Sequence, residues 1–342
     1  MKNRVDLKKI QGCLMGVAIG DALGMPVETM KHDEIMKLNG GTGVTGFMEP
    51  FQTRVKDTAG LKAGATTDDW QLTRAVATSI IRCDGVFSAR DCAQAHVEEL
   101  NKSLFGWGGT TQRAIEDIRD AKRVIGRDLL PPAEPGKGCG NGVIMKVAPM
   151  AIAEYIQRRH DSSIWNFWDK VMSLGAITHP DVRASISACA VGSFIMIALE
   201  NPPLQQEEGI RVLDGLIATL RAPEDFRDMT TERVTDVLLK ISGSLTNAQS
   251  LRERVGCGFH APQTAGFSIG TFLRHPTDFR TGVLEAVNAG GDTDTNASVV
   301  GALIGANVGL DGIPEEWQNF NPDFQEALEI GQQFYDKVRS VE

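Results

Sequence analysis

Gly12-Cys13-Leu14-Met15-Gly16-Val17-Ala18-Ile19-Gly20-Asp21-Ala22-Leu23-Gly24 places a glycine at every fourth position of an otherwise apolar stretch. Gly301, Gly305 and Gly309 repeat the spacing near the other end of the chain. Residues four apart share one face of a helix, so each set forms a smooth ridge open to a neighbouring backbone. A glycine inside a helix costs about 0.5–1 kcal/mol relative to alanine. Close packing of these two helices at the centre of the fold would offset that cost. Membrane helix pairs use the same spacing, but Asp21 interrupts the first stretch. Ala297 to Leu310 spans only 14 residues, short of the roughly 20 a bilayer span needs. The spacing therefore predicts two buried central helices.

Around them, helical periodicity dominates. Leu72 to Arg82, Asp91 to Leu100, Thr110 to Lys122, Val147 to Arg159, Ile164 to Ala176, Arg183 to Leu199 and Arg233 to Ser242 carry apolar residues at three- and four-residue spacing. Ser88 reads as an N-cap. Val44 to Met48 is the best strand candidate, and it is short. The fold class expected is all-α. Leu129 to Cys139 and Glu200 to Glu208 read as surface loops within one domain over 1–342, with 1–10 as an N-terminal extension.

Composition narrows the function. The 342 residues include 35 basic and 44 acidic side chains, a net charge of −9, which argues against a nucleic-acid partner. At 42% hydrophobic and 23% charged the chain is of globular type. Six scattered cysteines without a C-x-x-C pair fit reduced thiols better than disulfides or zinc. Without a signal-peptide pattern or a membrane span, a cytoplasmic protein is expected.

Three acidic motifs carry the chemistry. Gly20 to Glu28 (GDALGMPVE) ends the first glycine helix with carboxylates. Thr66-Thr67-Asp68-Asp69-Trp70-Gln71 opens a helix, and Gly290-Gly291-Asp292-Thr293-Asp294-Thr295 opens another. Adjacent carboxylates in an apolar setting repel, and burial raises the cost of ionising them. A helix N-terminus relieves part of this cost; a hard divalent cation relieves more. Asp and Thr oxygens suit magnesium, manganese or calcium, and no paired His or Cys lies nearby for zinc, copper or iron. Four aspartates and two threonine hydroxyls at two helix starts have the donors for two ions about 3.5–4 Å apart. Each motif alone has a plainer reading. Thr-Asp-Asp before a helix is an ordinary cap, and Asp21 alone is a buried structural acid. An EF-hand reading of the third motif fails, with Ala297 and Leu303 at the positions for glycine and glutamate.

Taken together, GDALGMPVE, TTDDWQLT, GNGVIMKVAP, ITHPD and NAGGDTDTNASVVGALIGA resemble the ADP-ribosylglycohydrolase family, which includes dinitrogenase-reductase-activating glycohydrolase and the ADP-ribosylarginine hydrolases. The likeness runs from Gly12 to about Gly309 in the family's order. It implies a compact, orthogonal all-α bundle around a central dinuclear magnesium site, with Mn²⁺ or Ca²⁺ as possible substitutes. The implied reaction is hydrolysis of the bond between ADP-ribose and a protein side chain, arginine first. By position, the resemblance implies metal ligands at Thr67, Asp68, Asp69, Asp292, Asp294 and Thr295. Catalytic roles fall to Glu28, beside the metals, and to Asp69 and Asp292. Gly140, Asn141 and Gly142 match the loop around ADP-ribose, and His179 a ligand-proximal histidine.

Gly108, Gly109 and Thr110 lie in a second glycine-rich stretch whose backbone N–H groups can face the pyrophosphate. Trp70 and Trp107 have either a stacking or a packing role. The sequence departs from the family at three places. Trp70 stands where threonine is common, Lys146 where arginine is common, and Gly106 where one branch has a catalytic aspartate. The partner expected is an ADP-ribosylated protein. The alternative is an immunity protein that occludes a cognate ADP-ribosyltransferase.

Overall fold

The computed structural model describes residues 6–51, 60–102, 106–123, 125, 138–157, 164–221 and 234–339. Among these the chain forms sixteen α-helices and no strand. The first eight are α1 (Leu7–Gly24), α2 (His32–Ile35), α3 (Asp68–Arg82), α4 (Ala89–Leu100), α5 (Gly109–Arg119), α6 (Ala148–Gln157), α7 (Ile164–Thr178) and α8 (Val182–Ala198). The rest are α9 (Gln206–Arg221), α10 (Val234–Ser242), α11 (Ala248–Arg254), α12 (Ala261–Arg274), α13 (Phe279–Asn288), α14 (Thr293–Val308), α15 (Glu315–Gln318) and α16 (Pro322–Arg339).

The two glycine helices, α1 and α14, pack antiparallel. Gly12 faces Gly305, Gly16 faces Gly301, Gly20 faces Ala297 and Gly24 faces Thr293. A Cβ on Gly12 would sit 2.5 Å from the Gly305 carbonyl oxygen, and one on Gly16 would collide with that of Gly301. Backbone meets backbone along four turns. Dispersion and Cα–H···O contacts at this approach offset the poor helix propensity of glycine. Gly12 through Gly24 and Thr293 through Asn307 are all buried, as expected of helices enclosed by others. By length and composition alone the segment Leu7–Val27 would cross a membrane, yet 94% of its apolar window is buried in protein. Helices α13, α12 and α8 pack on α14, while α16 and α3 pack on α1. Outside these, α4 covers α3, α5 covers α4, and α6 and α7 cover α8.

Several sequence expectations are corrected. Val44 to Met48 is not a strand. The Asn288 amide donates to the Val44 carbonyl (2.9 Å) and accepts from the Val44 N–H (2.8 Å), doing for that main chain what a neighbouring strand would do. Residues 7–10 form the first turn of α1. Asp6 caps α1 by accepting from the Lys8 N–H, Ile10 is fully buried, and the buried Lys9 ammonium donates to the Ala198 carbonyl at 2.9 Å. Gly309 ends α14 at φ 71° instead of continuing it. The loop at 200–208 is shorter than expected, because α9 begins at Gln206. α5 stops at Arg119, where Ala121 turns the chain at φ 55°. Most of the other loop, 129–137, lies outside the described residues, as do Arg158, Arg159 and Arg233 at the ends of two expected helices.

Candidate active site

The α1–α14 register decides where the carboxylates go. With Gly24 against Thr293, the last turn of α1 lies beside the first turn of α14. Asp21 therefore comes to Asp294, and Glu28, just past the 3₁₀ turn Met25–Val27, comes to both Asp292 and Asp294. Helix α3 enters the same corner because Asp21 caps it. The Asp21 carboxylate accepts from the Thr67 N–H (2.8 Å), the Trp70 N–H (3.1 Å) and the Thr67 hydroxyl (2.5 Å). That external cap starts α3 at Asp68, four residues before its apolar periodicity begins, and brings Asp68 and Asp69 into the first turn.

The carboxylates that meet here are all buried or nearly so. Asp21 is fully buried, and Asp69, Asp292, Asp294 and Asp68 are 1%, 2%, 5% and 7% exposed. Burial pushes the Asp21 carboxyl up to about 7 against three donors that pull it down, with Asp294 adding repulsion. The Asp294 charge, then burial, pushes Glu28 up to about 9. Burial first and neighbouring carboxylates second raise Asp68, Asp69 and Asp292 well above the ordinary range. Two helix N-termini aimed at the corner offset only part of this. Neighbouring donors satisfy some oxygens: the Asn141 side-chain Nδ2 donates to Asp292 (2.5 Å), the Thr295 hydroxyl to Asp69 (3.3 Å), and the Gly108 backbone N–H to Asp68 (3.3 Å). Asp69 Oδ1 is buried with no partner.

Such a corner fits a cation. Asp21, Asp69 and Asp294 form one group whose ligand oxygens lie within 4.8 Å of one another, and Glu28, Asp292 and Asp294 form a second. Asp294 belongs to both. All donors are carboxylates, without histidine or cysteine, so the set suits a hard ion. The orphaned Asp69 oxygen is a free ligand atom. Of the six ligands implied from sequence, Asp69, Asp292 and Asp294 lie in these groups. Asp68 lies outside both and holds Gly108, while the Thr67 and Thr295 hydroxyls donate to Asp21 and Asp69. Asp21, which belongs to the first acidic motif but not to the ligands implied by the resemblance, is both the cap of α3 and a member of the first group. A single carboxylate within a wholly apolar ridge was the signal for it.

The implied ligand loop lies against this corner. Asn141 accepts the Ile144 N–H and donates its own N–H to the Phe259 carbonyl (3.2 Å), and Gly140 bridges to His260. The Asn141 side chain bonds Thr264 as well as Asp292. His179 packs under the loop, so that a Cβ on Gly140 would lie 3.1 Å from its Nε2 and one on Gly142 2.8 Å from its Nδ1. Burial and the Lys146 charge lower His179 to about 3, so the ring is neutral. Asp181 caps α8 by accepting from the Arg183 N–H. Gly109 and Thr110 are exposed at the start of α5, next to the N-cap Gly108. Trp70 is fully buried core, and Trp107 donates its indole N–H to Gln71 (2.8 Å). Gly106 leaves no room for an acid. A Cβ there would lie 2.6 Å from the Thr67 Cβ.

An all-helical fold in which carboxylates able to hold a cation converge from three chain segments is the frame in which the comparisons with known proteins fall. The ADP-ribosylglycohydrolase family model matches residues 2–341, and the chain belongs to that family of glycosidic-bond hydrolases. It is 26% identical to human (Homo sapiens) ADP-ribosylhydrolase ARH3, over 96% of this chain and 93% of that protein. It is 25% identical to ADP-ribosylarginine hydrolase Tri1 of Pseudomonas putida (strain GB-1), over 98% of this chain and 80% of that one. A solved ADP-ribosylglycohydrolase-related protein complex superposes with a TM-score of 0.68 at 24% identity, covering 99% of this chain and 100% of that one.

Proposed function

We propose that this chain is a divalent-cation-dependent hydrolase that releases ADP-ribose from modified protein side chains, arginine first. The shared carboxylate of Asp294, common to two three-acid groups, carries the reading, because it is the arrangement two adjacent cations require. Asp21, Asp69 and Asp294 would hold one, and Glu28, Asp292 and Asp294 the other. Thr67, Asp68 and Thr295 would stand around them. We take the ions as Mg²⁺, with Mn²⁺ or Ca²⁺ as substitutes. When bound, they supply Lewis acidity that orients ribose hydroxyls and lowers the pKa of water.

The chain's own groups do the rest. Asn141 fixes Asp292, and Asp21 fixes the start of α3, so that the acids keep their places. Gly140, Asn141 and Gly142 close over the ligand, with His179 beneath them. The Gly109 and Thr110 N–H groups at the start of α5 face the pyrophosphate. Glu28 receives a proton from the attacking water at its carboxylate and returns it to the leaving group. The bond breaks with positive charge growing on the ribose, beside buried carboxylates that favour it. We place the reaction in the cytoplasm, where the six cysteines, none of them in a disulfide, stay reduced, and read 1–342 as one domain.

Arginine-linked and serine-linked ADP-ribosyl peptides test the reading. Release from the arginine linkage, abolished by a chelator and by Asp294→Ala, is expected. Release confined to the serine linkage would overturn the arginine assignment, and no release from either would overturn the hydrolase reading. Protection against an ADP-ribosyltransferase that survives Asp68→Ala and Asp292→Ala would favour an occluding binder.

A further inference from the structure

Lys146 is an unusual residue to find inside a protein. It follows the ligand loop and is fully buried. Burial lowers it to about 8, which leaves it largely protonated at neutral pH. Its Nζ donates to the Thr178 hydroxyl at 2.9 Å, and the same oxygen lies 3.0 Å from His179 Nδ1. An ammonium only donates, so the Thr178 oxygen accepts from it. The hydroxyl proton then turns to its other neighbour, His179 Nδ1. A neutral imidazole that accepts at Nδ1 carries its proton on Nε2. Nε2 is the nitrogen that lies under Gly140, 3.1 Å from where a Cβ would sit.

We propose that Lys146 is a positioning residue: through Thr178 it holds His179 as the Nε2–H tautomer beneath the Gly140–Gly142 loop, giving a bound ligand one fixed donor. The proposal deepens the functional reading, since the acceptor it serves is an oxygen of ADP-ribose. The tautomer itself depends only on the Lys146–Thr178–His179 chain. Without Lys146, the Thr178 oxygen is free to accept from Nδ1–H, and the two tautomers mix. Without the Thr178 hydroxyl, nothing holds the proton away from Nδ1.

Histidine-¹⁵N labelling with two-bond ¹H–¹⁵N correlation reads the tautomer directly, with the signals of His179 assigned by their loss in His179→Gln. The wild type and Lys146→Arg are expected to show Nδ1 unprotonated and Nε2 protonated. Lys146→Met and the near-isosteric Thr178→Val are expected to shift toward Nδ1–H. The same two variants should raise KM for an ADP-ribosylated peptide about ten-fold, the worth of one ligand hydrogen bond, with kcat nearly unchanged. Thr178→Ser should restore both. An unchanged tautomer in Lys146→Met and Thr178→Val, or Nδ1–H in the wild type, would overturn the proposal. A tautomer that shifts as expected in a protein without ADP-ribose release would support the relay and overturn the functional reading.

Discussion

Asp294 and Asp21 show how much one carboxylate's surroundings decide. Asp294 repels every other acid in the corner, leading the causes that raise Glu28, yet it is the member the two acidic groups share. Its charge costs stability when no cation balances it. Asp294→Asn should therefore raise the metal-free melting temperature by about 1–2 °C, equivalent to about 1 kcal/mol. The same variant should abolish turnover and the melting shift caused by Mg²⁺. Calorimetry with and without Mg²⁺ checks both, and a lower metal-free melting temperature would count against the repulsion argument. His96, on α4, makes a separate case. It is fully buried, its Nδ1 bonds the Cys92 carbonyl at 2.7 Å, and its Nε2 has no partner. Burial, then the Lys146 charge, holds it well below its ordinary 6.5. Below that value the unfolded chain takes up a proton the native ring refuses, so stability falls as pH drops, by up to about 1.4 kcal/mol per pH unit. Melting curves from pH 6.5 to 5 should fall less steeply in His96→Gln; equal slopes would remove His96 from the acid response.

At the scale of elements, the α1–α14 pair was the most legible part of the sequence. Glycine every four residues has one economical explanation in a folded protein, and the structure places Gly16 on Gly301 as that explanation requires. Gly16→Ala would drive a methyl into the Gly301 carbonyl and should cost about 3 kcal/mol. Gly46→Ala, where a Cβ meets nothing within 4 Å, should leave the melting temperature unchanged. If both variants melt alike, the close approach is not what holds the pair together. Periodicity also found α4, α7 and α8 to within two residues. It missed what is decided between elements. The start of α3 is set by Asp21, 46 residues away, and no local pattern contains that bond. Val44 looked like a strand because its neighbours are β-branched and aromatic, but Asn288 supplies its partner. Helix α12 carries Gly266 and Gly270, which seat Val237, Val255 and Leu251; glycines with this packing role weaken a helical signal in the sequence. For the site, residue type was enough to find Asp69, Asp292 and Asp294. It could not separate Asp68, which holds Gly108, from its neighbour.

The whole molecule is organised so that one corner joins its distant parts. Residues 21–28, 67–69 and 292–295 meet only in the folded chain, so a cation held between them has no counterpart site in the unfolded one. Its binding energy is then folding energy, RT ln(1 + [L]/Kd), or about 2.7 kcal/mol at a hundredfold excess over Kd. For a chain of this size that is a rise of about 4 °C. The acids that would receive the cation are raised in its absence, so binding would also expel protons. Two readings separate a built site from loose attraction to a protein of net charge −9. Millimolar Mg²⁺ should raise the melting temperature by about this amount in 0.3 M KCl as well as in low salt, because screening by salt weakens surface attraction more than buried coordination. The heat of Mg²⁺ binding should also change with the ionisation enthalpy of the buffer, in proportion to the protons released. A melting shift that vanishes in high salt, or a binding heat identical in all buffers, would mean that the acids of α1, α3 and α14 do not enclose a cation together.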